Sequence, residues 1–114
     1  MKKLSDILAL DLAKAALGNV LARHPLYESF KIGKTTQTLE ERFSQNYADE
    51  YEGIELLYDG GIKGELIDQM EEEMIEYCLN TYGDECDNDQ IGGGPACADN
   101  ADKDHTAKLY VVWK

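Results

Sequence analysis

The chain has 114 residues, 43% apolar and 30% charged, a composition that builds one domain with a modest core and excludes a wholly disordered chain. Its formal net charge of −12 opposes binding to phosphate backbones, because that contact runs on Lys and Arg. No apolar run approaches the roughly 18 residues of a membrane span, and the odd cysteine count, with no signal peptide ahead of it, points to a reduced cytoplasmic setting.

In chain order, the first expected element is a helix over residues 5–24, with Ser5 as N-cap and Asp6 in the first turn, where it suits the helix dipole. Ile7, Leu8, Leu10, Ala13, Leu17, Val20 and Leu21 recur at helical spacing, and Pro25 ends the run. This amphipathic helix is a packing element or a homodimer face. Residues 27–32 read as a strand and 33–36 as a turn. A short helix covers 38–47, with Thr38 and Glu41 at capping-box spacing. A second strand covers 53–58 and is closed by Asp59-Gly60-Gly61. A longer helix covers 63–82, followed by a Gly-, Asp- and Asn-rich loop over 83–106. The last strand is AKLYVVW, residues 107–113. The order implies one α+β domain over residues 1–114, with a small antiparallel sheet of about three strands flanked by helices and an added N-terminal helix.

On the long helix, Ile67, Met70, Met74, Ile75, Tyr77 and Cys78 form one apolar stripe, and Glu71 falls inside it. Burying a carboxylate costs several kcal/mol unless it is paired or binds a cation. Glu71 is therefore a divalent-metal ligand or acid/base group, half of an ion pair with Arg42 or a lysine, or an end-of-stripe glutamate reaching solvent. Charge is unevenly spread. Seven acids lie between Asp84 and Asp104 against one lysine, while residues 31–38 carry Lys31 and Lys34 and no acid. A Gly-Lys-Thr at 33–35 is no P-loop, since position 28 is Glu28 rather than glycine. Cys78, Cys86, Cys97 and His105 match no common zinc spacing, and Asp84, Asp87 and Asp89 are not spaced as an EF-hand loop.

The stretch FKIGKTTQTLEERF, residues 30–43, resembles the second half of the GIY-YIG nuclease signature: a strand ending in "-IG-", then a helix that places Arg42 nine residues after Gly33. Glu71, followed by Met74 and Ile75, resembles the family's helix glutamate. Cys86-Asp87-Asn88 and Gly92-Gly93-Gly94 resemble the "CNN…GGG" segment of phage members. The resemblance spans roughly residues 30–94. It implies a metal-dependent DNA endonuclease in which Glu71 holds Mg²⁺ or Mn²⁺, Arg42 binds phosphate and Asn88 matches the family asparagine. Lys34, Thr35 and Tyr47 would contact substrate. The sequence departs from the pattern at the second tyrosine, which is Lys31 here, and no GIY strand precedes Tyr27. The segment KLYVV, residues 108–112, resembles that missing strand. Antiparallel beside Phe30–Gly33, it would place Tyr110 at the first tyrosine's position and make the chain a circular permutation of the fold. The competing class is a non-catalytic relative whose acidic surface binds a protein partner or mimics DNA.

Overall fold

A computed structural model describes residues 3–88 and 96–114. Among them are three α-helices and a three-stranded antiparallel sheet. The elements are α1 (Leu4–Arg23), β1 (Phe30–Thr35), α2 (Leu39–Asn46), β2 (Gly53–Gly61), α3 (Gly64–Tyr82) and β3 (Ala107–Trp113), with short 3₁₀ turns at Gly83–Glu85 and Cys97–Asp99. No helix among the described residues is long and apolar enough to cross a membrane.

The sheet order is β1-β3-β2, so the last strand in the chain is the central one. Strand β3 has α1 and α3 on one face and α2 on the other. Ala107, Leu109, Val111 and Trp113 join the main core, while Tyr110 and Val112 join a smaller cluster with Tyr51, Phe43 and Tyr47. Cover on both faces explains why AKLYVVW shows no polar alternation. Its β-branched and aromatic residues suit a pleated surface.

The N-cap of α1 lies two residues earlier than expected. Lys3, in extended conformation, is its N-cap, without a side-chain bond, so Ser5 lies inside the helix. The buried face is Ala9, Ala13, Leu17, Val20 and Leu21. Ile7 and Leu8, expected in the core stripe, are exposed with Leu4 and Leu12. The first half of α1 is apolar nearly all round, so periodicity alone does not choose its inward face. Small alanines at 9 and 13 let the helix come close to its neighbours.

Strand β1 runs on through Gly33 to Thr35, where a turn was expected, because Gly33, Lys34 and Thr35 pair with Tyr110, Leu109 and Lys108. Strand β2 likewise extends to Gly61, with register shifts between Leu56 and Tyr58 and between Asp59 and Gly61. Thr38 caps α2 as expected. Its Oγ1 accepts from the Glu41 N–H at 3.1 Å and donates to the Glu41 carboxylate at 2.9 Å. Helix α3 stops at Gly83, whose φ of 59° glycine adopts without a Cβ penalty. Its buried face includes Glu71 with Ile67, Met70, Met74, Ile75 and Cys78, and Tyr77 is half-buried. Gly92–Gly94 lie outside the described residues.

Candidate functional site

The site is organised by one cross-strand pair. Gly33 on β1 stands directly opposite Tyr110 on β3, and directly opposed residues point to the same face of an antiparallel sheet. The Tyr110 ring lies over Gly33. A Cβ at position 33 would meet Tyr110 Cε1 at 2.7 Å and Cζ and Oη closer still. Glycine is needed here for ring clearance.

The Tyr110 hydroxyl is fixed from α2 and the residue after it. Arg42 Nε donates to it at 3.1 Å, and the Tyr47 hydroxyl is 2.7 Å away. The Arg42 guanidinium also lies 5.9 Å from the Tyr47 ring centroid, within cation–π range. Tyr110 is 1% exposed. Burial pushes its phenol up, further than the Arg42 guanidinium pulls it down. The hydroxyl therefore stays protonated at neutral pH. It can position a water or donate to an oxygen, but it is a poor general base.

Lys31 pairs with Val112, so it lies on the same sheet face as Tyr110, two residues along β1, and is half-buried.

Lys34 leaves β1 on the opposite face and turns toward α3. Its Nζ is 3.0 Å from Asp68 and 3.4 Å from Glu71. Asp68 and Glu71 are one helical turn apart, which puts both on the same side of α3. Asp68 also accepts from the N–H groups of Cys97 and Ala98, at 2.8 and 3.0 Å. Burial pushes the Asp68 carboxyl up, but the Cys97 N–H, Lys34 and the Ala98 N–H outweigh it and hold it below the usual range. Glu71 moves the other way. It is 6% exposed, and burial raises its carboxyl more than the Lys34 ammonium lowers it. Glu71 Oε1 is near the ammonium but has no aligned hydrogen bond. The contact is an ion pair of charge proximity, weaker than a hydrogen-bonded one.

Between the two groups, at the end of β1, lies a cleft of 180 Å³ lined by Lys34, Thr35, Thr36, Gln37, Arg42 and Asn100, among others. Its two charged walls are both cationic. Thr35 Oγ1 already accepts from the Gln37 N–H at 3.0 Å. Glu71 and Tyr110 do not line the cleft. They stand one side chain behind it, Glu71 behind Lys34 and Tyr110 behind Arg42. Glu71 and Tyr110 thus reach the cleft only through Lys34 and Arg42 and do not meet in it.

No family model matches this chain. Nor does any curated protein or solved structure match it.

Asn88 lies in a different setting. Its Oδ1 accepts from the Ile32 N–H and its Nδ2 donates to the Ile32 carbonyl, both at 2.9 Å. Next to it the Asp87 N–H donates to the Phe30 carbonyl at 2.7 Å, and Cys86 forms a parallel bridge with Phe30. Residues 86–88 thus satisfy the outer edge of β1, with the Asn88 amide doing what a further strand's peptide would do. This holds β1, and with it Gly33 and Lys34, in place. The cysteines are free and buried.

The divalent ion expected at Glu71 meets a specific obstacle. Two carboxylates on one turn of α3 are suitable donors, but the Lys34 ammonium already sits against both. Among the described residues no group of three or more His, Cys, Asp or Glu is arranged to hold a metal. As the side chains stand, the residues do not fit a metal ion. Asp68 and Tyr51 were not singled out from the sequence. Asp68 could have been found, since it precedes Glu71 by three residues on the same helical face. Tyr51, which donates to Asp87 at 2.9 Å, carries no such signal.

Proposed function

We propose that this chain is an endonuclease-like protein of GIY-YIG type that acts on DNA phosphodiester bonds, in circularly permuted form. The observation that carries this reading is the Arg42–Tyr110–Gly33 arrangement. A C-terminal strand sits antiparallel beside the "-IG-" strand, with its tyrosine over the glycine and bonded to the helix arginine. In this reading Arg42 and Lys34 draw a phosphate into the cleft by charge. Tyr110, bonded to both Arg42 and Tyr47, holds the arginine in place from behind the cleft, and Glu71 is the acid that a Mg²⁺ or Mn²⁺ ion would approach. The two cationic walls make a local basic patch on a body of net charge −12.

A second reading has its own observation. Lys31 replaces the second tyrosine and Lys34 neutralises Glu71, which suits a relative that keeps the fold without the chemistry and uses its acidic surface on a protein partner or as a DNA mimic. Plasmid nicking in Mg²⁺ or Mn²⁺ separates the two. The nuclease reading expects wild-type nicking that is lost in Glu71→Ala and in Arg42→Ala, each shown to be folded. Folded wild type that nicks with neither metal leaves the second reading.

A further inference from the structure

Two buried thiols lie outside the cleft and its charge network. Cys78 is on the buried face of α3, and Cys86 is on the segment that satisfies the outer edge of β1. Both belong to the main core. Phe30 draws their surroundings together. Tyr82, one helical turn after Cys78 on the same side of α3, packs edge-on against the Phe30 ring at 5.2 Å, and Cys86 forms its parallel bridge with Phe30. The two thiols are hydrogen-bonded to each other. The Cys86 thiol also donates to Asn88 Oδ1 at 3.4 Å, the same oxygen that accepts the Ile32 N–H.

Their pairing makes the thiols unequal. The Cys78 hydrogen bond holds the Cys86 thiol below its ordinary value against burial, with help from the Asn88 N–H and opposition from the Asp87 charge. The same bond, together with burial, pushes the Cys78 thiol up, and the Lys14 ammonium of α1 pulls it the other way. Cys86 therefore has the greater thiolate character. At 7% exposure against 0% for Cys78, it is also the sulfur that a small solute meets first. Cys97 stands apart. Its N–H bonds Asp68, and Asp68 and Cys78 are ten residues apart on α3, about 15 Å at the helical rise.

We propose that Cys78 and Cys86 form a site of oxidative modification, a dithiol that hydrogen peroxide converts to an intramolecular disulfide joining the end of α3 to the edge segment of β1. The Cys86 thiolate attacks one peroxide oxygen, the O–O bond breaks, hydroxide leaves and Cys86 becomes a sulfenic acid. The Cys78 sulfur then attacks the Cys86 sulfur. The S–S bond forms as the S–O bond breaks, and the oxygen leaves as water with its own proton and that of Cys78. In sum, two thiols and one peroxide give one disulfide and two waters, and two electrons pass from sulfur to oxygen. The new bond ties residues 86–88, which hold Phe30 and Ile32, to α3, so the edge of β1 beside Gly33 opens less readily. The proposal draws nothing from the nuclease reading, and its test reads no cleavage.

Folded protein is treated with hydrogen peroxide, quenched and denatured. Free thiols are then counted, and the link is located by peptide mass mapping without reductant. Wild type should fall from the three free thiols of the untreated chain to one, with the Cys78 and Cys86 peptides joined and lighter by two hydrogens. Cys97→Ala should fall from two free thiols to none. Cys78→Ala lacks the second sulfur, so a dimedone trap should label Cys86 as its sulfenic acid. Dithiothreitol should restore the thiols of oxidised wild type, and exchange of the Ile32 amide should be slower before that reduction than after it. Three results overturn the proposal. One is folded wild type that keeps all its thiols at a peroxide dose that oxidises the urea-unfolded chain. Another is a link that involves Cys97. The third is an Ile32 amide that exchanges equally in the two forms, which removes the tie to β1. If Cys78→Ala does not fold, the maps of wild type and Cys97→Ala decide by themselves.

Discussion

Gly33→Ala is the sharpest perturbation of the site, because it adds one methyl to a position with no room for it. That methyl would lie 2.7 Å from Tyr110 Cε1 and closer to Cζ and Oη. Real Cβ atoms do not approach other heavy atoms so closely, so the ring must move. The ring tip is not free to swing, since Tyr110 is 1% exposed and held by Arg42 and Tyr47. Two hydrogen bonds at about 0.5–1.5 kcal/mol each are lost or stretched. Overpacking a dense site adds about 1–3 kcal/mol. The expected destabilisation is about 2–6 kcal/mol, a large share of the roughly 5–15 kcal/mol that holds a domain of this size folded. Urea unfolding followed by far-UV circular dichroism gives the midpoint and slope. The same substitution in a Tyr110→Leu background should cost less, with a coupling of about 0.5–3 kcal/mol between the sites. A Gly33→Ala midpoint within about 0.5 kcal/mol of wild type, or an equal cost in the two backgrounds, would falsify the claim that ring clearance is why position 33 is glycine.

Asn88→Ala leaves the Ile32 N–H and carbonyl without their partner at the β1 edge, which should cost about 1–3 kcal/mol. It should also remove hydrogen-exchange protection from the Ile32 amide, and unchanged protection there would refute the edge-capping role. Asp68→Asn should change how stability depends on pH. The Asp68 carboxyl is held below its ordinary 3.8 in the folded chain, so its contribution is present above that value and is lost as pH falls through the lower folded one. The stability gap between wild type and Asp68→Asn should be full near pH 7 and close as pH falls below the ordinary carboxylate value. A gap that does not change with pH would exclude the role given to the Cys97, Ala98 and Lys34 contacts. Glu71 has the opposite sign, with its carboxyl raised by burial, so its contribution is present below the unfolded value and fades as pH rises through the folded one.

The elements were legible in the sequence because each rests on local physics. The apolar stripe of α3 set its inward face and placed Glu71 among buried residues. Thr38 and Glu41 marked the start of α2. The β-branched and aromatic run of β3 marked a strand. The family resemblance also singled out Gly33 and Arg42, and both proved to contact Tyr110. Other features depended on partners distant in sequence. The face of α1 that turns inward was decided by how close two alanines let it come, because its leucines lie on both sides. The extension of β1 past Gly33 was decided by pairing with residues 108–110, some 75 positions on. Asn88, read as a site residue, serves the backbone edge of β1. Lys34 was read as a substrate contact, and only the packing of β1 against α3 shows its ammonium against Asp68 and Glu71. A sequence can announce that a buried carboxylate needs a partner. Which cation supplies the charge depends on what the folded chain brings within about 4 Å of it, where Coulomb attraction is strong.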